Sequence, residues 1–568
     1  MRHLVALLAF VALLNAPVFS QEKNPPASTT QKPAPQKKSQ RATATTPSNE
    51  QTAAEQTKES AQTQTQAAPE RRPEEKKPEG RPEEAHGAQG QPENVKYDMS
   101  EVAPVVTHHR ITVEGRALSY TATTGRLPIK NDEGKIEAEM FFVAYTLDGA
   151  APGTRPLTFA FNGGPGSASL WLHMGALGPK KVVLQPEGWM PPAPYHLEDN
   201  ASTPLDRTDL VLVDAIGTGF SRPADTQTGK KFWGVKGDIA AFGEFIRLYI
   251  TRYERWSSPL YLFGESYGTT RSAGLAGYLS QRGISFNGIV LLSTILRFLT
   301  VETSPGNDQA FIDTLPTYAM IAWYHKKLPA DLMQDQSRTR AEVEKFASGE
   351  YAAMLQKGDR MSPEERKAAC AQIARFTGLT PQDVDEANLR IDVPWFTHRL
   401  LAEQKVRVGR LDGRYTGPDP QGYLETRFYD PSSSATSPPF TSMFNDYVRR
   451  ELGYKTDMTY NVSSQDANRL WDWGNAAEGM PDTSGDLRAA IVKNPYLKVL
   501  VMQGYYDMAT PYFAVNDNLN HMDLPEQFRK NISYATYEAG HMVYLRQSEL
   551  QKMKKDFAAF VGGTTATN

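Results

Sequence analysis

The chain has 568 residues, and 62 Lys and Arg stand against 65 Asp and Glu, which gives a formal net charge of −3. This balance excludes the broad basic surface typical of nucleic-acid-binding proteins, so we expect no nucleic-acid partner. The single cysteine, Cys370, excludes an intrachain disulfide and a cysteine-based metal cluster. The length predicts one large domain with additional segments.

Residues 1–20 have the pattern of a signal peptide. A short positive start precedes the apolar run from Leu4 to Leu14, and "VFS" stands before Gln21. The apolar run is too short to span a bilayer, which favours a cleaved signal over a membrane anchor and predicts no transmembrane segment. We therefore expect a secreted or periplasmic protein, and export without disulfides favours a bacterial source.

Residues 21–96 are rich in Pro, Gln, Thr, Lys, Glu and Ala and nearly lack large apolar side chains. Such a composition buries too little apolar surface to offset chain entropy. It predicts a disordered tether or spacer ahead of a folded domain over residues 97–562.

The first part of that domain alternates apolar and polar residues, as in "HRITVEGRALSYTATTGRLPI" and "AEMFFVAYTLDG". This alternation predicts antiparallel strands. Short apolar runs then alternate with helical patterns: "RPLTFAF", "DLVLVDAIG", "PLYLFGES", "GIVLLST" and, much later, "LKVLVMQG". Such runs are typical of strands buried on both faces, so we predict an α/β fold with a mostly parallel central sheet and antiparallel N-terminal strands.

The segment of about 297–470 is largely helical in pattern and rich in charge, and it interrupts the series of strands. Because the strand pattern resumes afterwards, we predict a helical cap inserted into the domain. The alternative is a separate domain of unrelated function.

A candidate nucleophile lies in "LFGESYG", where Gly-x-Ser-x-Gly follows a predicted strand and opens a helical pattern. A sharp strand-to-helix turn of this kind exposes a serine hydroxyl above the sheet. The motif predicts Ser266 as the nucleophile, and the alternative is an ordinary turn serine.

A serine hydroxyl needs a positioned base, and the base needs an orienting carboxylate. His541 follows a strand-like run near the end of the chain, and Asp507 follows the strand "LKVLVMQG". The order Ser266, Asp507, His541 is the chain order of an α/β-hydrolase. Either Asp507 or His541 taken alone is equally well explained as a structural residue.

The glycine-rich stretch "FNGGPG" follows another predicted strand. Acyl transfer places negative charge on a carbonyl oxygen, which backbone N–H groups from such a loop and from the residue after the nucleophile stabilise. In this chain we expect the two donors to be the Tyr267 N–H and one N–H group within "NGGPG". The stretch lacks the spacing of phosphate-binding loops, and the chain lacks common metal-binding motifs, so we expect neither a cofactor nor a metal.

Together these motifs resemble the serine carboxypeptidase family, the relatives of carboxypeptidase Y, from about Thr158 to Leu545. The segments that carry the resemblance are "NGGPGSASLW", "GALGP", "VLVDAIGTGFSRP", "LFGESYG", "QGYYDMATPYFA" and "EAGHMV". The resemblance implies an α/β-hydrolase fold with a cap and cleavage of a C-terminal residue from peptides through an acyl-enzyme.

The family's functional residues can be placed on this chain one at a time. Ser266 would be the nucleophile, His541 the base and later the acid, and Asp507 its orienter. Gly164 and Tyr267 would supply the oxyanion N–H groups. Asn162 and Glu265 would hold the terminal carboxylate of the substrate, helped by the Gly163 N–H, and Met542 would line the pocket of the departing residue.

Two positions depart from the family pattern. Many relatives have Cys-Ser-Ser where this chain has Ser167-Ala168-Ser169, and the family often has a Glu where this chain has Ala176. In the family that Glu assists the residue equivalent to Glu265. Its replacement implies either a substitute group or a preference for ester or acyl-transfer substrates.

We therefore expect a secreted serine carboxypeptidase that acts on peptides with a free C-terminus and leave its oligomeric state open. Because Glu265 and a substrate carboxylate would share one proton, we expect an acidic optimum. The alternatives are an esterase or acyltransferase with the same triad and a non-catalytic surface-attached binding protein.

Overall fold

The structure, a computed structural model, describes residues 94–151, 153–419, 429–474 and 479–565. The predicted signal peptide and nearly all of the predicted tether lie outside the described residues. Both therefore stay predictions, as do the domain boundaries.

Most strands of the described chain join one ten-stranded sheet, in the order β1-β2-β3-β7-β4-β9-β10-β13-β14 with β8 paired to β3. The remaining strands form the two-stranded ribbons β5-β6 and β11-β12. The strands are β1 (Val105–Val113), β2 (Arg116–Lys130), β3 (Ile136–Leu147), β4 (Leu157–Phe161), β5 (Lys180–Val182), β6 (Leu197–Asp199), β7 (Asp209–Val213), β8 (Arg222–Pro223), β9 (Leu260–Glu265), β10 (Gly288–Leu292), β11 (Val406–Val408), β12 (Thr416–Pro418), β13 (Lys498–Gly504) and β14 (Ile532–Tyr537).

The directions of the strands divide the sheet into two parts. β1, β2, β3 and β7 pair antiparallel, whereas β7, β4, β9, β10, β13 and β14 pair parallel. This arrangement confirms the predicted α/β-hydrolase fold with antiparallel N-terminal strands. It brings the carboxyl ends of the parallel strands to one edge, where ligand sites of such sheets lie.

Helices cover both faces of the sheet. Leu262 and Phe263 are neighbours on β9, yet they pack into different hydrophobic clusters, one on each face. The helices are α1 (Leu170–Leu172), α2 (Thr226–Gly229), α3 (Val235–Arg252), α4 (Tyr267–Ser280), α5 (Gln309–Tyr324), α6 (Gln336–Phe346), α7 (Ala352–Lys357), α8 (Pro363–Thr377), α9 (Pro381–Glu386), α10 (Val393–Arg399), α11 (Pro431–Arg450), α12 (Gln465–Leu470), α13 (Ser484–Lys493), α14 (Tyr512–Asn520), α15 (Glu526–Arg529) and α16 (Gln547–Thr565).

Helices α5 to α10 share a third hydrophobic cluster. Tyr505, Tyr506 and Met508, which follow β13, belong to the same cluster. The helical layer therefore packs against the edge of the sheet where β13 ends. Among the described helices, none has the length and apolarity needed to cross a membrane.

Candidate active site

Ser266 lies in the sharp turn between β9 and α4. Its backbone has φ +61° and ψ −132°, a conformation that is uncommon for a residue with a side chain. The turn is tight, because a Cβ on Gly264 would come within 2.2 Å of the Gly268 carbonyl oxygen. The local sequence therefore allows a strained turn that exposes the Ser266 side chain, as the Gly-x-Ser-x-Gly motif predicts.

Asp507 and His541 form a hydrogen-bonded pair. His541 Nδ1 lies 2.8 Å from Asp507 Oδ2. Asp507 Oδ1 accepts from the N–H groups of Ala509 and Thr510 at 2.8 and 3.1 Å, and the Thr510 hydroxyl donates to Oδ2 at 2.6 Å. These donors fix the carboxylate so that it receives the Nδ1 proton of the imidazole, which leaves Nε2 as the basic nitrogen.

Backbone contacts also hold His541 in place. Its N–H donates to the Leu411 carbonyl at 2.7 Å, and its carbonyl accepts from the Ser293 hydroxyl at 2.5 Å. Burial lowers the pKa of the imidazole, but the charge and hydrogen bond of Asp507 outweigh it, so the pKa of His541 is raised above its usual value. The Asp507 pair thus favours the imidazolium that forms during acyl transfer.

The glycine-rich loop after β4 lies directly against the start of α4. A Cβ on Gly163 would come within 2.3 Å of the Tyr267 nitrogen, and Gly164 has φ +105°, which favours glycine. Tyr267 is the first residue of α4, and N–H groups in the first turn of a helix lack an intrahelical acceptor. The arrangement brings the two predicted oxyanion donors, the N–H groups of Gly164 and Tyr267, to one site beside Ser266.

Glu265 ends β9 and is only 2% exposed. The Tyr544 hydroxyl donates to its Oε2 at 2.9 Å, and the Asn162 side chain lies close enough to lower its pKa. Burial raises the pKa of Glu265 to about 7, although His541, Tyr544 and Asn162 each act in the opposite direction. At mildly acidic pH the side chain is therefore a neutral carboxylic acid that can donate a hydrogen bond.

Asn162 is positioned by three backbone contacts. Its Oδ1 accepts from the Leu172 N–H at 2.9 Å, so its amide NH₂ is the group that faces Glu265. Its N–H donates to the Ser169 hydroxyl at 3.3 Å, and its carbonyl accepts from Arg271 Nη1 at 2.8 Å.

A cavity of about 480 Å³ brings the predicted site residues together. It is lined by Asn162, Gly163, Gly164, Glu265, Ser266, Tyr267, His541 and Met542, all of which the sequence predicts. Asp507 does not line the cavity and lies behind His541, as an orienting residue would. Trp171, Phe298 and Arg410, together with Thr436 of α11, extend the cavity wall.

Sequence reasoning missed several residues that hold this site. For Ala509 a signal was available, because a loop aspartate commonly accepts a hydrogen bond from the backbone N–H two residues later. Arg271 and Asp238 form a fully buried ion pair with an Nε–Oδ2 distance of 2.7 Å, and Tyr544 contacts Glu265. Each of these contacts joins residues that are distant in the sequence and meet only in the folded protein, so no local sequence pattern predicts it.

Ala176 lies away from the cavity lining. It is buried in the π-helical turn His173–Leu177, and its carbonyl accepts from the Asn200 side chain at 2.8 Å. Its neighbour Gly175 packs against the ring of Tyr544, where a Cβ would come within 2.6 Å. Tyr544 therefore lies beside the position where relatives often carry an acid.

The fold is that of the α/β-hydrolases, a class defined by its sheet and by the strand-to-helix turn that carries Ser266. A family model for serine carboxypeptidases (Peptidase_S10) matches residues 115–559. The chain therefore belongs to the serine carboxypeptidase family, and it is a hydrolase. No curated protein matches the chain.

Several solved structures are similar over most of their length. A proline iminopeptidase from Mycobacterium smegmatis has 14% identity and a TM-score of 0.32, covering 78% of this chain and 99% of its own. A carboxyl esterase from Bacillus coagulans has 12% identity and a TM-score of 0.33 with the same coverage. A peroxisomal α/β-hydrolase from Saccharomyces cerevisiae has 10% identity and a TM-score of 0.36, covering 78% of this chain and 90% of its own. At such TM-scores these similarities carry no argument about activity.

Proposed function

We propose that this protein is a secreted serine carboxypeptidase that releases the C-terminal residue of a peptide through an acyl-enzyme. The observation that carries the proposal is the buried Glu265, which lines the same cavity as Asn162, Ser266 and His541. A general esterase has no need of a buried acid beside its nucleophile, whereas a carboxypeptidase must bind a free carboxylate there.

The geometry supports an ordinary acyl-transfer sequence. His541 Nε2 takes the proton of Ser266 Oγ as that oxygen attacks the scissile carbonyl carbon, and the carbonyl oxygen receives the negative charge. The N–H groups of Gly164 and Tyr267 stabilise that charge. His541 then gives the proton to the departing amine, and a water molecule, deprotonated by His541, hydrolyses the acyl-Ser266 ester.

The charge of Glu265 makes peptide binding depend on pH. Below pH 7 the neutral carboxyl donates a hydrogen bond to the substrate carboxylate, and above pH 7 the ionised form repels it. His541 must be neutral to act as base, so activity also falls at low pH, where the imidazole is protonated. The two effects predict a bell-shaped pH profile for peptides, which falls above about pH 7 as Glu265 ionises and falls at lower pH as His541 is protonated.

The second candidate is an esterase or acyltransferase on the same triad. Ala176 favours it, because an acid that assists carboxylate binding in relatives is replaced by a residue that does not line the cavity. An ester without a free carboxylate needs only Ser266, His541 and the oxyanion donors.

The two functions can be separated with a blocked dipeptide, the same dipeptide as its C-terminal amide, and a blocked amino-acid ester. A carboxypeptidase cleaves the free acid at least tenfold faster than the amide at pH 5. Equal rates on acid and amide, or cleavage of the ester alone, would contradict the proposal. Ser266→Ala abolishes all three activities, and a variant with unchanged turnover would refute the role of Ser266.

Export is proposed from residues 1–20 alone. Expression of the full chain in a bacterial host should give a periplasmic or extracellular protein whose N-terminus is Gln21. N-terminal sequencing of the cytoplasmic and exported fractions tests this, and an uncleaved cytoplasmic product would contradict it.

A further inference from the structure

One contact of the site has no counterpart in the proposed reaction steps. Tyr544 lies in the 3-10 turn Val543–Leu545, three residues after His541, and its hydroxyl donates to Glu265 Oε2 at 2.9 Å. Both side chains are buried, each 2% exposed. The ring packs against Gly175, where a Cβ would come within 2.6 Å of it. The contact is therefore fixed on both sides by packing.

We propose that Tyr544 is a positioning residue that orients Glu265 and sets the pH range in which it binds the substrate carboxylate, in place of the acid that relatives often carry at the position of Ala176. The inference rests on the proposed function. It explains how the chain keeps a carboxylate-binding Glu265 although Ala176 contributes no acidic group.

A tyrosine and a carboxylic acid act differently on a neighbouring carboxyl. Two carboxyls in contact share one proton, and their repulsion raises the apparent pKa of the pair. Burial, followed by the charge of Glu265, raises the pKa of Tyr544 well above its usual value, so the phenol stays protonated. A permanent donor stabilises the ionised form of Glu265 and holds its pKa lower than a second acid would.

The other groups around Glu265 do not duplicate this role. His541 and the Asn162 amide also lower the pKa of Glu265, whereas the charge of Asp507 raises it. The second acid that lines the cavity, Glu302, lies at its exposed rim. Of these groups, Tyr544 and Asn162 are buried and always neutral, and Tyr544 is the one whose hydroxyl donates to Glu265 Oε2, at 2.9 Å.

Tyr544→Phe removes the hydroxyl and keeps the ring in its packing. Because the ionised form of Glu265 loses a donor, its pKa rises, and the alkaline limb of kcat/KM on a blocked dipeptide moves upward by about one pH unit. Because Glu265 Oε2 is no longer held, KM for the peptide at pH 5 rises several-fold more than KM for an ester without a free carboxylate.

Tyr537→Phe is the matched control. The Tyr537 hydroxyl also donates to a carboxylate, Asp556 Oδ2, at 2.8 Å, and its ring is equally buried, but Asp556 does not line the cavity. This variant should show the wild-type pH profile. In a Glu265→Gln background, where no carboxyl titrates, Tyr544→Phe should produce no further shift of the limb.

The decisive measurement is the pH profile of kcat/KM on the peptide for wild type, Tyr544→Phe, Tyr537→Phe and the two Glu265→Gln backgrounds. An alkaline limb of Tyr544→Phe that coincides with wild type overturns this inference and leaves the proposed function standing. A shift that persists in the Glu265→Gln background also overturns it. If wild type cleaves only the ester, the proposed function fails and the inference falls with it.

Discussion

Within a single residue, Glu265 combines two properties that usually occur in different residues. It is buried, which disfavours its charge, and it lies near three polar groups that favour the charge. The resulting pKa of about 7 lies where a change of one or two pH units alters the charge of the side chain. A single side chain can therefore link substrate affinity to pH.

The first prediction concerns Glu265→Gln. Glutamine is neutral at every pH and retains an N–H donor, so we expect peptide cleavage at pH 5 to be retained within about tenfold. The fall of peptide kcat/KM that wild type shows as pH rises through about 7 should disappear. The measurement is kcat/KM from pH 4 to 9, and a variant that keeps the wild-type fall would contradict the role of Glu265.

The second prediction concerns Asp507→Asn. An asparagine side chain presents either a donor or an acceptor to Nδ1, so the correct tautomer of His541 is lost, and we expect kcat to fall about 10⁴-fold. Loss of the negative charge also lowers the pKa of His541. The acidic limb of the residual activity should therefore move to lower pH, and an unchanged kcat on the ester would contradict the assignment.

Several elements meet at the buried ion pair of Arg271 and Asp238. Asp238 belongs to α3 and Arg271 to α4, and Arg271 Nη1 also donates to the Asn162 carbonyl after β4. The pair therefore connects the glycine-rich loop to the helix that begins at Ser266.

The third prediction follows from this connection. Asp238→Asn leaves Arg271 buried without a full counter-charge, which costs about 3 to 5 kcal/mol in the free energy of unfolding. Chemical denaturation measures this loss, and Asp446→Asn on the exposed end of α11 is the control. A loss below about 1 kcal/mol would show that the pair contributes little.

The fourth prediction concerns the aromatic wall of the cavity. The centroid of the Phe298 ring lies 6.4 Å from that of Tyr267 and 5.2 Å from that of Trp473. In the proposed reaction the leaving residue is held at Glu265 and Asn162, and we expect the acyl residue to face this wall. Phe298→Ala should lower kcat/KM for a peptide with Phe on the acyl side by about tenfold relative to one with Gly there. An equal loss on both peptides would place the acyl residue elsewhere.

At the scale of the whole molecule, sequence patterns predicted the sheet because its signals are local. Each parallel strand is a short apolar run followed by a turn, and the predicted site residues follow four such strands. Their meeting at one edge follows from the parallel order alone. The sequence pattern also predicted that the inserted segment is largely helical. It did not predict that these helices contact Tyr505 and Tyr506 after β13, because the contacts join residues more than a hundred positions apart and no local pattern encodes them.

The position of β14 has a consequence for the loss of activity on heating. β14 is the last strand of the sheet, it pairs with β13 alone, and His541 follows it directly. Its residue Tyr534 is 49% exposed, so β14 buries less apolar surface than the central strands do. Local unfolding therefore costs less free energy at this edge of the sheet. The base can thus leave the site while Ser266, which follows a strand three places inward, stays in place. Activity would then be lost at a lower temperature than the one at which the domain unfolds. The first inactive form would still be mostly native and would regain activity on cooling.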